Sequence, residues 1–310
     1  LKIAVTGGTG FIGAALMKGF TGYEVISIGR SKIKSGNKHY NFQLEDTVDY
    51  GNVFEKCDVL IHTAALVHSM VHKPSESLNE FRAVNVSGTL NLARQAADSG
   101  VKRFIFISTI KVNGEQTFLG HPFTADDIPR PEDSYAISKL ESELGLQDLA
   151  VSSGMEVIII RPPLVYGPGV KGNFASMINL VKKGVPLPLG AVFNKRTLIS
   201  IDNLIDLVVT CIDHPAAANQ VFLAGDGEDL STSDLLRGIA RAMGKPSRLI
   251  PFPESFLRLS ATLIGKKALA DRLLDSLQVD ISKARDLLGW EPPLSVEEGL
   301  KRCFEAENNR

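Results

Sequence analysis

The chain has 310 residues, 44% hydrophobic and 22% charged, with a formal net charge of −1, as in an ordinary globular protein of one large or two packed units. That balance gives no electrostatic reason to expect nucleic acid or a membrane surface, and no apolar run approaches the roughly 18 residues a membrane span needs. Cys57, Cys211 and Cys303 lie too far apart for a metal or disulfide framework and no signal-peptide pattern is visible, so we expect a cytoplasmic protein, with a few residues missing ahead of Leu1.

Residues 2–6 form a short apolar strand cut by Gly7, Gly10 and Gly13, and residues 11–20 form an apolar, helix-compatible stretch. Glycines allow dihedrals and close approaches that other residues forbid, and a helix beginning there aims free N–H groups at an anion. The spacing Gly-x-x-Gly-x-x-Gly at the start of the chain reads as the pyrophosphate site of a doubly wound sheet. The next strand, 24–28, runs into Gly29-Arg30-Ser31, where such a fold places the adenosine ribose. An acid there would accept from the 2′-hydroxyl, whereas Arg30 suits a 2′-phosphate. NADP(H) is therefore favoured and NAD stays open, because Lys32 and Lys34 make the whole loop basic.

Residues 52–56 read as helix and 58–62 as strand. His68 and His72 then lie four apart beside Met70 without a third ligand, which points to a substrate-facing loop and no metal. A long helix is predicted over 76–97 and a strand over 103–108. That strand ends in Ser108-Thr109, hydroxyls at the carboxyl edge where parallel sheets bind ligands; either could hold a substrate oxygen or cap the strand. The helix over 133–150 carries Tyr135 and Lys139 on one face, a turn apart. An ammonium there would favour the phenolate and bring the tyrosine toward acid–base work near neutral pH. A strand over 155–161 follows.

Pro162, Pro163, Gly167, Pro168, Gly169 and Gly172 mark departure from the sheet. Beyond them we expect a helix over 174–183, a strand over 197–201, a helix over 203–212, a strand over 220–224 and a mostly helical remainder from 231 to 307. The alternation predicts an α/β fold, a Rossmann doubly wound parallel sheet with a smaller, mostly helical C-terminal substrate lobe. Residues 1–165 and 197–226 are assigned to the nucleotide domain, and 166–196 and 227–310 to the lobe.

Several motifs together resemble the extended short-chain dehydrogenase/reductases, of the NAD(P)-dependent nucleotide-sugar epimerase/dehydratase family. They are Thr6-Gly7-Gly8-Thr9-Gly10-Phe11-Ile12-Gly13, Asp58 through Ala65, Asn85-Val86-Ser87-Gly88-Thr89, Tyr135-x-x-x-Lys139, Arg161-Pro162-Pro163-Leu164-Val165-Tyr166-Gly167-Pro168-Gly169, Asp280-Ile281-Ser282-Lys283-Ala284 and Leu288-Gly289-Trp290-x-Pro292. The resemblance implies that Gly7, Gly10, Phe11, Ile12, Gly13, Ala64, Ala65 and Pro162 line the cofactor and that Asn85 supports the active-site backbone. It makes Thr109, rather than Ser108, the catalytic hydroxyl, counting back from Val112-Asn113-Gly114, with Tyr135 the acid/base. Lys139 would hold the nicotinamide ribose. Arg196 and Asn173 match residues that meet a sugar nucleotide's diphosphate, and Arg272 is a looser candidate. Asn113, counted with Thr109 among the substrate contacts, stands where the family has tyrosine, so sugar recognition would differ.

The implied chemistry is hydride transfer between nicotinamide and C4 of a UDP-linked hexose. Within the family the chain resembles a bacterial surface-polysaccharide subgroup of UDP-sugar 4-epimerases and reductases of UDP-4-keto-6-deoxy-N-acetylhexosamines. Arg30 tips the expectation toward the NADPH-consuming reductase, with the epimerase as the alternative. A non-catalytic dinucleotide sensor is disfavoured by the retained Tyr135 and Lys139, and a reductase of apolar alcohols by Arg196 and Asn173. The resemblance also implies a homodimer through helices 76–97 and 133–150. Lys111 and Glu115 receive no role.

Overall fold

The computed structural model describes residues 1–32, 38–67 and 77–308. Its centre is a seven-stranded sheet of β1 (Lys2–Thr6), β2 (Glu24–Gly29), β3 (Lys38–Asn41), β4 (Val59–His62), β5 (Arg103–Ile107), β6 (Glu156–Arg161) and, later in the chain, Val221–Leu223. The order is β3-β2-β1-β4-β5-β6 and then Val221–Leu223, every pair parallel. After β3 the chain returns to the far side of β1, so the strand order reverses between β1 and β4; ligands bind at the carboxyl ends beside such a reversal.

The apolar runs fill both faces because strand side chains alternate. Ile3, Val5, Ile61, Ile105, Ile158 and Ile160 meet the helices Phe11–Gly19 and Ile201–Asp213. Ala4, Leu60, Phe104, Phe106, Val157 and Ile159 meet Thr89–Asp98 and Ser134–Ser153 on the other face. The expected doubly wound sheet is present, and so is the mostly helical C-terminal part.

Three details differ from the sequence reading. The strand β3 was not foreseen, because Lys38-His39-Tyr40-Asn41 has no apolar run and only one neighbour to pair with. The helix expected over 76–97 is an α-helix Leu78–Phe81, a π-helical stretch Arg82–Gly88 and an α-helix Thr89–Asp98. Residues 197–200 do not join the large sheet. A second sheet pairs β7 (Leu164–Tyr166) in parallel with β8 (Arg196–Ser200), which pairs antiparallel with Asp229–Leu230. The Pro162-Pro163 break lets the chain leave β6 and restart as β7, giving β8 a closer partner than the large sheet. Ile199 of β8 faces the core of the large sheet, whereas Leu198 faces the core of the lobe. Among the described residues no helix is long and apolar enough to cross a membrane.

Candidate active site

The turn after β1 is built for close approach. Gly7 has a φ of 71°, and a Cβ there would lie 2.7 Å from Thr63 Oγ1 and 2.8 Å from Ala64 N. A Cβ on Gly13 would sit 2.2 Å from the Gly7 carbonyl oxygen, so the helix can start this close to the turn only with glycine. Gly10 caps that helix without a side-chain bond, and no carboxylate lies in its first turn. The first helical bond runs from Ala14 N to Gly10 O, leaving the N–H groups of Phe11, Ile12 and Gly13 at the positive end of the helix. Gly7 N donates to Ile28 O at 3.2 Å, which ties the turn to the end of β2. Arg30, exposed, follows two residues later.

The ends of β1 and β4 are joined through one hydroxyl. Thr6 Oγ1 accepts from Thr63 N (3.2 Å) and Ala64 N (3.3 Å) and lies 2.7 Å from His62 Nδ1. With two amides already donating, the hydroxyl hydrogen goes to Nδ1, which leaves Nε2–H of His62 to donate to Thr89 Oγ1 at 3.0 Å. His62 is fully buried, and burial first, then the charge of Lys139, pushes its pKa far down; it is a neutral strut. Asn85, in the π-helical stretch, reaches the same loop. Its Oδ1 accepts from Leu66 N at 2.7 Å, and its Nδ2 donates to Leu66 O and Ser138 Oγ, both at 3.0 Å. It thereby splints the loop carrying Ala64 and Ala65 to the helix carrying Tyr135.

The carboxyl end of β5 meets that helix. Lys139 Nζ donates to Ile107 O at 2.7 Å and lies 3.7 Å from the centroid of the Phe106 ring. Thr109 follows two residues on, half-buried, its hydroxyl accepting from Lys111 N at 3.3 Å. Ser108 is buried and donates to Glu143 Oε1. Of the two hydroxyls, Thr109 is thus the one nearer the open edge. Lys111 has a role after all. Its Nζ bonds Glu115 Oε1 and Asp133 Oδ2, each at 2.6 Å, while Asp133 Oδ1 accepts from Ala136 N and caps the Tyr135 helix. Burial lowers the Lys111 pKa, but the two carboxylates outweigh it and the net direction is up.

The expectation that Lys139 draws the tyrosine pKa down is not met. Burial pushes Tyr135 up, and the Asp133 carboxylate pushes it further. The reason lies in the lysine, whose Nζ is turned to Ile107 O and whose own pKa burial pushes down to about 7, with Glu143 pulling it partly back. Both groups are driven toward their neutral forms. Tyr135 stands as a protonated phenol, a ready acid, edge-on to Phe81 at 6.3 Å between ring centroids.

Glu143 is a residue the sequence reading missed. Fully buried, it is gripped by Arg161, with Nε 3.1 Å from both carboxylate oxygens and Nη2 2.5 Å from Oε2. The periodicity Tyr135-x-x-x-Lys139-x-x-x-Glu143 was the available signal, since it stacks all three on one helix face. Arg161 Nη1 also donates to Asn113 Oδ1 at 2.9 Å, and Asn113 Nδ2 donates to Thr124 O at 2.9 Å. Asn113 is therefore placed differently from the expectation that it meets the sugar: it is buried and joins β6 to the loop around Thr124. Pro162, buried at the end of β6, accepts from Ile110 N at 2.9 Å.

The lobe holds the remaining candidates. Arg196, half-buried at the start of β8, donates from Nη1 to Asp275 O at 3.0 Å, and burial lowers its pKa against the pull of Asp275. Asp275 caps the helix Lys267–Leu274, on which Arg272 is exposed, so both arginines belong to one corner of the lobe. Asn173 is exposed in the first turn of the helix Gly172–Lys183. His68 and His72 lie outside the described residues, among which no group of three His, Cys, Asp or Glu could hold a metal.

An uncapped, acid-free helix start behind a glycine turn, beside the strand-order reversal, fits a dinucleotide diphosphate. The sequence profile of the NAD dependent epimerase/dehydratase family matches residues 3–225. A relative from Vibrio cholerae, named UDP-glucose 4-epimerase, is 49% identical over 100% of this chain and 97% of its own length. Among solved structures, a UDP-glucuronic acid 4-epimerase from Bacillus cereus in complex with NAD superposes with a TM-score of 0.79 at 21% identity, covering 100% of this chain and 99% of that one. A UDP-glucose 4-epimerase from Thermotoga maritima with UDP-glucose gives 0.79 at 23% identity, with the same coverage of both chains.

Proposed function

The chain belongs to the NAD dependent epimerase/dehydratase family, and we propose that it inverts C4 of a UDP-linked hexose, using a nicotinamide dinucleotide held at the carboxyl edge of the large sheet. It is an enzyme of the nucleotide-sugar epimerase kind, of the extended short-chain dehydrogenase/reductase class. One observation carries the catalytic part. The Lys139–Ile107 bond holds the face bearing Tyr135 and Lys139 against the strand end that presents Thr109. The 49% identity to a relative named UDP-glucose 4-epimerase favours epimerisation over net reduction.

The N–H groups of Phe11, Ile12 and Gly13 would hold the diphosphate of the dinucleotide, Ala64, Ala65 and Pro162 would line it, and Lys139 would meet its nicotinamide ribose. Bound there, the nicotinamide supplies the hydride acceptor and donor that the reaction needs. Tyr135, once it has released its own phenolic proton, would take the proton of the C4 hydroxyl and later return it to the C4 oxygen, while Thr109 would hydrogen-bond that oxygen in both halves. Arg196 and Asn173, with Arg272 a looser candidate, would hold the sugar nucleotide's diphosphate, as charge-assisted bonds from arginine suit an anion. The outward side of Ser134–Ser153 shows Leu144 and Val151, which supports a homodimer through this helix and Thr89–Asp98.

The test is to incubate purified protein with UDP-glucose, or its N-acetyl counterpart, without added NAD(P)H and resolve the sugars by chromatography. Interconversion of the C4 pair is expected; its absence with every UDP-hexose rejects the proposal. Arg30 favours a second reading, the NADPH-dependent reduction of a UDP-4-keto-6-deoxy-N-acetylhexosamine, which would show as stoichiometric NADPH oxidation.

A further inference from the structure

The helix Glu254–Leu263 is turned the wrong way for a surface helix in water. None of its residues is buried. Phe256 is 59% exposed, Leu259 57% and Leu263 79%, and the following Ile264 68%. Positions 256, 259 and 263 recur at i, i+3, i+7, so they share one face. Phe252, its ring 6.1 Å from that of Phe256, and Leu269 extend the exposed apolar surface on either side. The charged side chain of the helix points the other way. Arg258 bonds Glu254 Oε1 at 2.7 Å and Asp275 Oδ1 at 2.8 Å, and lies 3.6 Å from Asp271 Oδ1, while Leu257 and Ala261 pack on the lobe core.

Charge says what would cover this face. Between 245 and 270 stand Lys245, Arg248, Arg258, Lys266 and Lys267 against a single carboxylate, Glu254, in a chain whose net charge is −1. Arg258 pairs that carboxylate and the two from the next helix, Asp271 and Asp275. Lys266 and Lys267 are exposed, immediately beyond the apolar tip of Leu263 and Ile264. An exposed phenylalanine–leucine face beside unopposed lysines is the pattern of a helix lying in a bilayer interface, apolar side in the acyl boundary and ammonium groups at anionic headgroups.

We propose that this face docks the protein peripherally on an anionic lipid surface, with Phe256, Leu259 and Leu263 entering the interface and Lys266 and Lys267 meeting the headgroups. The overall charge of −1 concealed this, because Arg258 ties up the nearby carboxylates Glu254, Asp271 and Asp275 while Lys266 and Lys267 stay exposed.

The experiment is flotation of the full chain with phosphatidylcholine vesicles, with and without phosphatidylglycerol. Binding is expected to the mixed vesicles, weak or absent on phosphatidylcholine alone, and to fall as salt screens the headgroups. Each lysine near such a surface is worth about a fivefold change in partitioning, so Lys266→Gln with Lys267→Gln should weaken binding about 25-fold. Phe256→Ser with Leu263→Ser should abolish it while turnover stays at the parent level. Failure of the parent to float with mixed vesicles, or flotation of both double variants like the parent, overturns the proposal. Sedimentation velocity is the second measurement: self-association that disappears in Phe256→Ser with Leu263→Ser would make a second copy the occupant and would also overturn it.

Discussion

Replacing Lys139 with methionine isolates the electrostatic cost built into the site. The ammonium is buried, bonded to Ile107 O at 2.7 Å, and its pKa is pushed from 10.5 down to about 7 by burial against the pull of Glu143. In the unfolded chain it titrates near 10.5. Between those values the unfolded chain keeps a proton that the folded chain has released, so stability climbs with pH across this window. Below it the group is charged in both states and the burial cost is felt in full; above it that cost is gone. One proton contributes about 1.4 kcal/mol per pH unit, or about 4–5 kcal/mol over the window. Lys139→Met lacks the group, so the stability of the parent should rise relative to the variant by that slope from about pH 7 to about pH 10. The buried thiols of Cys57, Cys211 and Cys303, all pushed up by burial, pull stability down in alkali, but equally in both proteins. Urea unfolding of the pair at a series of pH values reads the difference. A difference that stays constant across the window would refute the reasoning.

Three further substitutions probe the rest of the site. Tyr135→Phe should keep dinucleotide binding and lose about 10²–10⁴-fold in turnover, because only the proton path is removed; near-normal kcat would overturn its role. Arg30→Asp should move preference toward NAD if Arg30 meets a 2′-phosphate, a charge-assisted contact worth about 1.5–3 kcal/mol, and equal NADPH affinity in parent and variant would remove that assignment. Arg161→Met leaves Glu143 buried and unpaired and should cost about 3–5 kcal/mol in urea unfolding; a loss under about 1 kcal/mol would mean that Glu143 finds another partner.

Apart from β3, the large sheet was legible because its strands are uninterrupted apolar runs, and the glycine turn because Gly7 and Gly13 leave no room for a Cβ. What escaped was carried by distance along the chain. Ser108 and Glu143 are 35 residues apart and Arg161 and Asn113 48 apart, so nothing local marks them as bonded. Asn113 looked like a substrate contact because the resemblance supplied a neighbourhood without saying which way its amide points. The spacing puts Tyr135 and Lys139 on one helix face, but charge alone says nothing of burial, which no spacing reveals and which sets the direction for both.

The strand β8 has a mechanical consequence. With Ile199 seated in one core and Leu198 in the other, the two bodies of the molecule share a girder rather than a hinge. Neither can melt without tearing out a strand that the other depends on, so heat should dismantle them in one cooperative transition. The same girder limits how far the lobe can swing. Gripping and releasing a sugar nucleotide then falls to loops and side chains at the edge, while the frame beneath stays still.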